Sequence, residues 1–168
     1  MGALATSTAL LGLIAGGGLW QTRLPEDPLA SRSLNISNVP VVDPPARDYQ
    51  NFFNEVKDLG KKPLTVEARR TLRLSDQELR SLVAVTADLS DESVEFHKIW
   101  RPWSFEAFME RVEGESVSPA VEEKLRDLQK QWAQTLLEYA QRLKAAFGEE
   151  RFQSVDEFIH SGKSMFAR

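Results

Sequence analysis

Cysteine is absent from this chain. That excludes a disulfide framework, a thiol nucleophile and thiolate metal ligation. Histidine occurs only as His97 and His160, too few for a zinc site without several converging acidic ligands. His160 follows Asp156 by four residues, so both share one helical face, and the pair reads as a surface hydrogen bond. His97 falls on an expected helix surface. No Gly-x-Ser-x-Gly, glycine-rich phosphate loop or His-Glu-x-x-His is present. The basic excess of a nucleic-acid binder is also missing: the net charge is −4. No cofactor, metal or small-molecule substrate is expected from these residues.

Charge is missing altogether from Met1 to Thr22. Leu10, Leu11, Leu13 and Ile14 form the apolar centre of that segment, and Gly16, Gly17 and Gly18 follow. Two readings stay open. A short apolar run followed by small residues describes a cleavable signal peptide, although no Lys or Arg precedes it. Alternatively, the 22 uncharged residues meet the length of about 20 that spans a bilayer. Ala5, Ala9, Gly12 and Gly16 would then line one helical face, a small-residue pattern that lets membrane helices pack closely. Trp20 would sit at the interface. The start Met-Gly-Ala-Leu-Ala-Thr also fits the short N-myristoylation template.

Residues 23–46 carry Pro25, Pro28, Pro40, Pro44 and Pro45 among polar residues without apolar periodicity. They read as an extended linker. Residues 47–168 then read as one helical domain. Its charge is uneven: residues 47–75 sum to +3, residues 76–126 to −6, and residues 127–168 balance. The basic stretch Lys61, Lys62, Arg69, Arg70 and Arg73 reads either as a solvated face or as a patch for anionic headgroups.

Helix signals follow one another along the body. Asp43 with Pro44 and Pro45 predicts a start, and Tyr49, Phe52, Phe53, Val56 and Leu59 recur at helical spacing before Gly60. One or two turns are expected around residues 66–72. Ser75-Asp76-Gln77-Glu78 is a capping box, opening a helix with Leu79, Leu82, Val83, Thr86 and Leu89 on one face. Pro102 predicts the end of that helix, and Ser104 predicts the cap of a short third one stopped by Gly114. Ser118-Pro119 followed by Glu122 and Glu123 is the strongest start in the chain. It predicts a helix over Pro119–Phe147, about 43 Å long at ~1.5 Å per residue. Val121, Leu125, Leu128, Trp132, Leu136, Tyr139, Leu143 and Phe147 step by 4, 3, 4, 4, 3, 4 and 4, wider than a left-handed coiled coil. A last helix over 149–160 carries Phe152, Val155, Phe158 and Ile159. The expected fold is all-α: a small bundle with one long C-terminal helix, preceded by the linker and the apolar segment.

Glu106, Glu110, Glu113 and Glu115 look solvated, not set up as an acid–base pair. Phe96, Trp100, Trp103, Phe105 and Phe108 make a dense aromatic group around the expected helix break, either a corner of the core or a contact surface. Tryptophan and arginine dominate protein–protein hot spots, so Trp100, Arg101 and Trp103 are the candidate partner-binding residues. Ala5, Ala9, Gly12 and Gly16 are the candidates for membrane-helix packing. The expected role is non-enzymatic: an interaction protein held at a membrane, serving as an accessory or structural subunit of a larger complex. The alternatives are a secreted or periplasmic helical binder of chaperone type, and an enzyme of unassigned class.

Overall fold

The structure, a computed structural model, describes residues 42–166. The segment with Ala5, Ala9, Gly12 and Gly16, and most of the linker, lie outside the described residues. About 77% of the described chain is helical, in five helices without a strand. They are α1 (Ala46–Val56), α2 (Val66–Leu72), α3 (Asp76–Val112), α4 (Pro119–Phe147) and α5 (Glu149–His160). The fold is all-α.

Local chemistry sets most boundaries. Thr65 caps α2 by accepting from the Ala68 N–H at 3.0 Å. Ser75 opens α3 with the capping box: its Oγ accepts from the Glu78 N–H, and Glu78 Oε2 accepts from the Ser75 N–H at 2.7 Å. Burial alone would raise the Glu78 carboxyl, but the Ser75 bonds and then Arg151 outweigh it and hold it below the usual range. α4 starts at Pro119, where a missing N–H costs nothing. Gly148, at φ +83°, separates α4 from α5 in a backbone conformation that side chains disfavour.

Two sequence expectations are corrected. Asp43 is not the cap of α1: the helix starts at Ala46, Pro45 stands at the cap, and no side chain bonds the first turn. Asp43 contributes only its backbone carbonyl, which accepts from the Arg47 N–H at 3.1 Å. More consequentially, Pro102 does not end a helix. α3 runs through it for 37 residues, and Ser104 caps nothing. Its hydroxyl donates back to the Arg101 carbonyl at 2.9 Å. Pro102 is exposed, so water can reach the carbonyl that loses its backbone donor. On the opposite face, packing against α4 holds the helix on both sides of the proline.

That packing is an antiparallel hairpin. Glu110 accepts from the Ser118 N–H at 2.9 Å, and the Phe96 ring lies 5.1 Å from that of Trp132. Tyr139 donates to Glu92 at 2.9 Å, and Arg151, just past α4, reaches Glu78 at 2.7 Å. Each pair is centred on Gly114 or within about two residues of it, so one register holds along the whole hairpin.

The main core sits at one end of this hairpin only. Leu82 and Leu89 of α3 join Trp132, Leu136, Tyr139, Ala140 and Leu143 of α4. α1 adds Tyr49, Phe52, Phe53 and Val56, α2 adds Ala68 and Leu72, and α5 adds Phe152, Val155, Phe158 and Ile159. The C-terminal segment closes the body: the Thr65 N–H donates to the Met165 carbonyl at 2.8 Å, and Glu55 accepts from the Met165 N–H at 2.6 Å. Beyond Phe96 and Trp132, α3 and α4 contribute nothing to this core. There, among the described residues, the two helices meet only each other, burying Ala107, Val121 and Leu128. The molecule is a compact body with a two-helix arm.

Candidate interaction surface

The arm has two unlike outer faces. On α4, Glu122, Glu123, Arg126, Asp127 and Lys130 are exposed, an ordinary solvated helix face. On α3, large apolar side chains stand in solvent: Val94 is 50% exposed, Phe105 61%, Phe108 57% and Val112 63%. Single exposed apolar residues are normal, but a contiguous row of them marks contact sites. These form a row. From Val94 through Arg101, Phe105, Phe108 and Val112 the steps are 7, 4, 3 and 4 residues. That is the seam spacing of a helix that packs against another helix.

The inner and outer faces of α3 divide the sequence candidates. Arg101 is exposed and lies in the row. Trp100 and Trp103 are half-buried, belonging by helical phase with Phe96 and Ala107 on the side turned to α4. The structure therefore brings Arg101 together with Phe105, Phe108 and Val112, and sets the two tryptophans at the edge of the hairpin seam. Neither Phe105 nor Phe108 fills a core corner. The signal that finds the row is present in the sequence once α3 is read as continuous; a break at Pro102 splits it into unrelated halves.

Exposed charges of both signs flank the row: Glu95, Lys98 and Arg101 toward the body, Glu106 midway, and Arg111, Glu113 and Glu115 toward the turn. Lys98 is already bonded to Glu95 at 2.7 Å. Arg101, Glu106 and Glu113 form no ion pair among the described residues.

A second polar group lies on the body, between α1 and α5. His160 Nδ1 is 3.0 Å from Asp48 Oδ2, and its Nε2 is 3.5 Å from Asp156 Oδ1. The Tyr49 hydroxyl donates to the same Asp156 carboxylate. Burial first, and then that bond, push the Tyr49 hydroxyl well above its ordinary value. The Asp156–His160 pair is thus the helix-face contact that the spacing indicates, extended to a neighbouring helix. It ties α1 to α5 and presents no open position to a substrate. Among the described residues no group of three acidic or histidine side chains converges in a way that could hold a metal ion. The open depression at Phe147, Gly148, Glu149 and Ser154 also includes Arg151, whose donors are engaged by Glu78 and the Leu72 carbonyl.

The basic residues Lys61, Lys62, Arg69, Arg70 and Arg73 are all exposed. Lys62 is paired with Asp58 at 2.5 Å. No helix among the described residues is long and apolar enough to cross a membrane. No protein-family model, curated protein or solved structure matches the chain.

Proposed function

We propose that this chain is a non-enzymatic interaction protein whose two-helix arm is its docking element. The observation that carries the reading is the row Arg101, Phe105, Phe108 and Val112 on the outer face of α3, largely apolar and exposed along a part of the helix that no third element among the described residues covers. Aromatic and arginine side chains are the groups that anchor protein contacts when buried at their centre. Trp100 and Trp103, half-buried on the side of α3 turned to α4, lie behind the row. On this reading the body is the scaffold, stabilised by the α1–α4–α5 core, and the arm is what it presents. The uncharged segment 1–22 supplies attachment to a membrane, with Ala5, Ala9, Gly12 and Gly16 as its packing face, and the linker that precedes the buried Val42 supplies reach. The role is that of an accessory or structural subunit.

The test is recovery of the full-length tagged chain from native membranes with what accompanies it. Wild-type protein is expected in the membrane fraction with an intact N-terminus by mass spectrometry, holding a reproducible companion. Phe105→Ser with Phe108→Ser, or Arg101→Ala alone, should reduce that companion at least fivefold. Because these side chains are exposed, thermal stability should change by less than about 1 kcal/mol. An unchanged companion in folded variants would refute the docking role of the arm. A clipped chain in the soluble fraction would refute the anchor.

A further inference from the structure

We infer that the body rests on an anionic lipid surface through the outer face of α2, with Arg69, Arg70 and Arg73 on the headgroups. The inference deepens the membrane attachment proposed above. That reading supplies the tether, and this one says which side of the body the bilayer meets.

The face is built by helical phase. α2 spans Val66–Leu72. At ~100° per residue, Val66, Arg69 and Arg70 share an arc of about 100°. Ala68 and Leu72 lie on the other side and are buried in the core. Arg73 follows as the cap, in the left-handed region at φ 35°. Val66 is 80% exposed, and Arg69, Arg70 and Arg73 are all exposed. The loop before α2 adds Lys61, Lys62 and Pro63, exposed as well.

Most neighbouring carboxylates are engaged within the fold. Glu67, on the flank of α2, is bonded to Lys163 at 2.5 Å, and Asp58 to Lys62 at 2.5 Å. Glu78 is held by Ser75 and Arg151. Asp76, in the first turn of α3, is an exposed carboxylate bordering the face. Arg69, Arg70 and Arg73 form no ion pair among the described residues. The counter-charge of these three guanidiniums therefore lies outside the described fold. Guanidinium matches phosphate with paired hydrogen bonds, and Val66 adds one apolar contact for the headgroup boundary.

Charge along the molecule selects this end. Residues 61–73 carry five cations and one acid, whereas residues 106–123 around the arm tip carry six acids and one cation. Between the two ends runs α3, 37 residues long. That is about 55 Å at ~1.5 Å per residue, far beyond a screening length of about 8 Å. An anionic surface attracts the α2 end and repels the tip, and the two ends respond independently. The cations stand along an open helix face rather than around a pocket, which suits an extended surface. A bilayer is chosen over a nucleic acid because the whole chain is acidic, at −4, and because the tether brings the body to lipid.

The experiment uses the full-length chain on vesicles of phosphatidylcholine, alone or mixed three to one with phosphatidylserine. The absence of cysteine allows a single environment-sensitive dye, attached through Pro63→Cys beside the face or through Ser116→Cys at the arm tip. The dye beside the face should respond to phosphatidylserine, and the dye at the tip should not. Arg69→Gln with Arg70→Gln should weaken the response about 25-fold, at about fivefold per cation near an anionic surface. Both residues are exposed, so the helical melting curve should not move. Tenfold more salt should suppress the wild-type response. An equal response after Arg69→Gln with Arg70→Gln overturns the inference. So does a dye beside the face that is blind to phosphatidylserine; if that chain still attaches to phosphatidylcholine alone, the anchor stands without the face. Attachment only to vesicles with phosphatidylserine, lost with the two arginines, refutes the anchor and leaves the face standing. A dye that responds to polyglutamate or duplex DNA but not to vesicles assigns the face to an acidic protein or a nucleic acid and overturns the lipid contact.

Discussion

Tyr139 ties the hairpin together at the edge of the body. Its ring is buried, its hydroxyl donates to Glu92 at 2.9 Å, and the Arg142 guanidinium lies 4.2 Å over the ring. Burial, and next the bond to Glu92, push the hydroxyl up to about 12 from its ordinary 10.0 against the opposing pull of Arg142. The folded state thus holds this proton more tightly than the unfolded chain does. Its contribution to stability is complete below pH 10 and is lost as pH rises from 10 through about 12, at no more than about 1.4 kcal/mol per pH unit for one proton. Tyr49, bonded to Asp156, acts in the same direction. The chain has two tyrosines and no cysteine, so no thiol confuses the titration. Tyr139→Phe should cost about 1 kcal/mol at neutral pH through the lost hydrogen bond. It should also flatten the fall in denaturant midpoint between pH 10 and 12. A curve as steep as wild type would show that the Tyr139 proton is not held by the fold. Such a residue is legible in the sequence only as one more apolar position of α4; the Glu92 partner, 47 residues away, is fixed by the hairpin register.

At the scale of the element, the helices that start and stop by chemistry were readable to the residue. α4 begins at Ser118-Pro119 and ends before Gly148, and α3 opens on Ser75 with Glu78 reaching back. What failed was a rule applied without its surroundings. Proline removes one backbone donor and crowds the preceding turn, at a cost of about 3 kcal/mol in a helix interior. That cost stops a marginal helix. It does not stop one whose inner face, Phe96 through Trp100, Trp103 and Ala107, is held by a partner on both sides of the proline. The cost is nonetheless still present in the native state. Pro102→Ala should therefore stabilise the protein by about 1–2 kcal/mol, the helix gain less the freedom returned to the unfolded chain. Chemical denaturation of the two proteins under identical conditions decides the matter. A less stable Pro102→Ala variant would mean that the proline bends α3 into a shape its packing against α4 requires.

For the whole molecule, the division into body and arm explains why the candidate surface was only half visible in the sequence. Trp100, Arg101 and Trp103 stand out by residue type, and type alone does not tell an inner face from an outer one. Phe105, Phe108 and Val112 stand out only once α3 is continuous and the three-dimensional core is seen to end near Phe96 and Trp132. The same division makes a dynamic prediction. Amides of Leu136 to Leu143 lie in helix packed by α1, α3 and α5 and open only when the body unfolds. Amides of Phe105 to Val112 belong to a stretch of helix with one neighbour among the described residues and an exposed apolar flank, so opening them exposes little more than Ala107, Val121 and Leu128. Local stability follows buried contacts. Native-state hydrogen exchange should thus protect the arm tip less than the body by roughly 2 kcal/mol or more. Equal protection of arm and body in dilute wild-type protein would mean that the arm is not an independent unit, and that α3 and α4 unfold only together with the core.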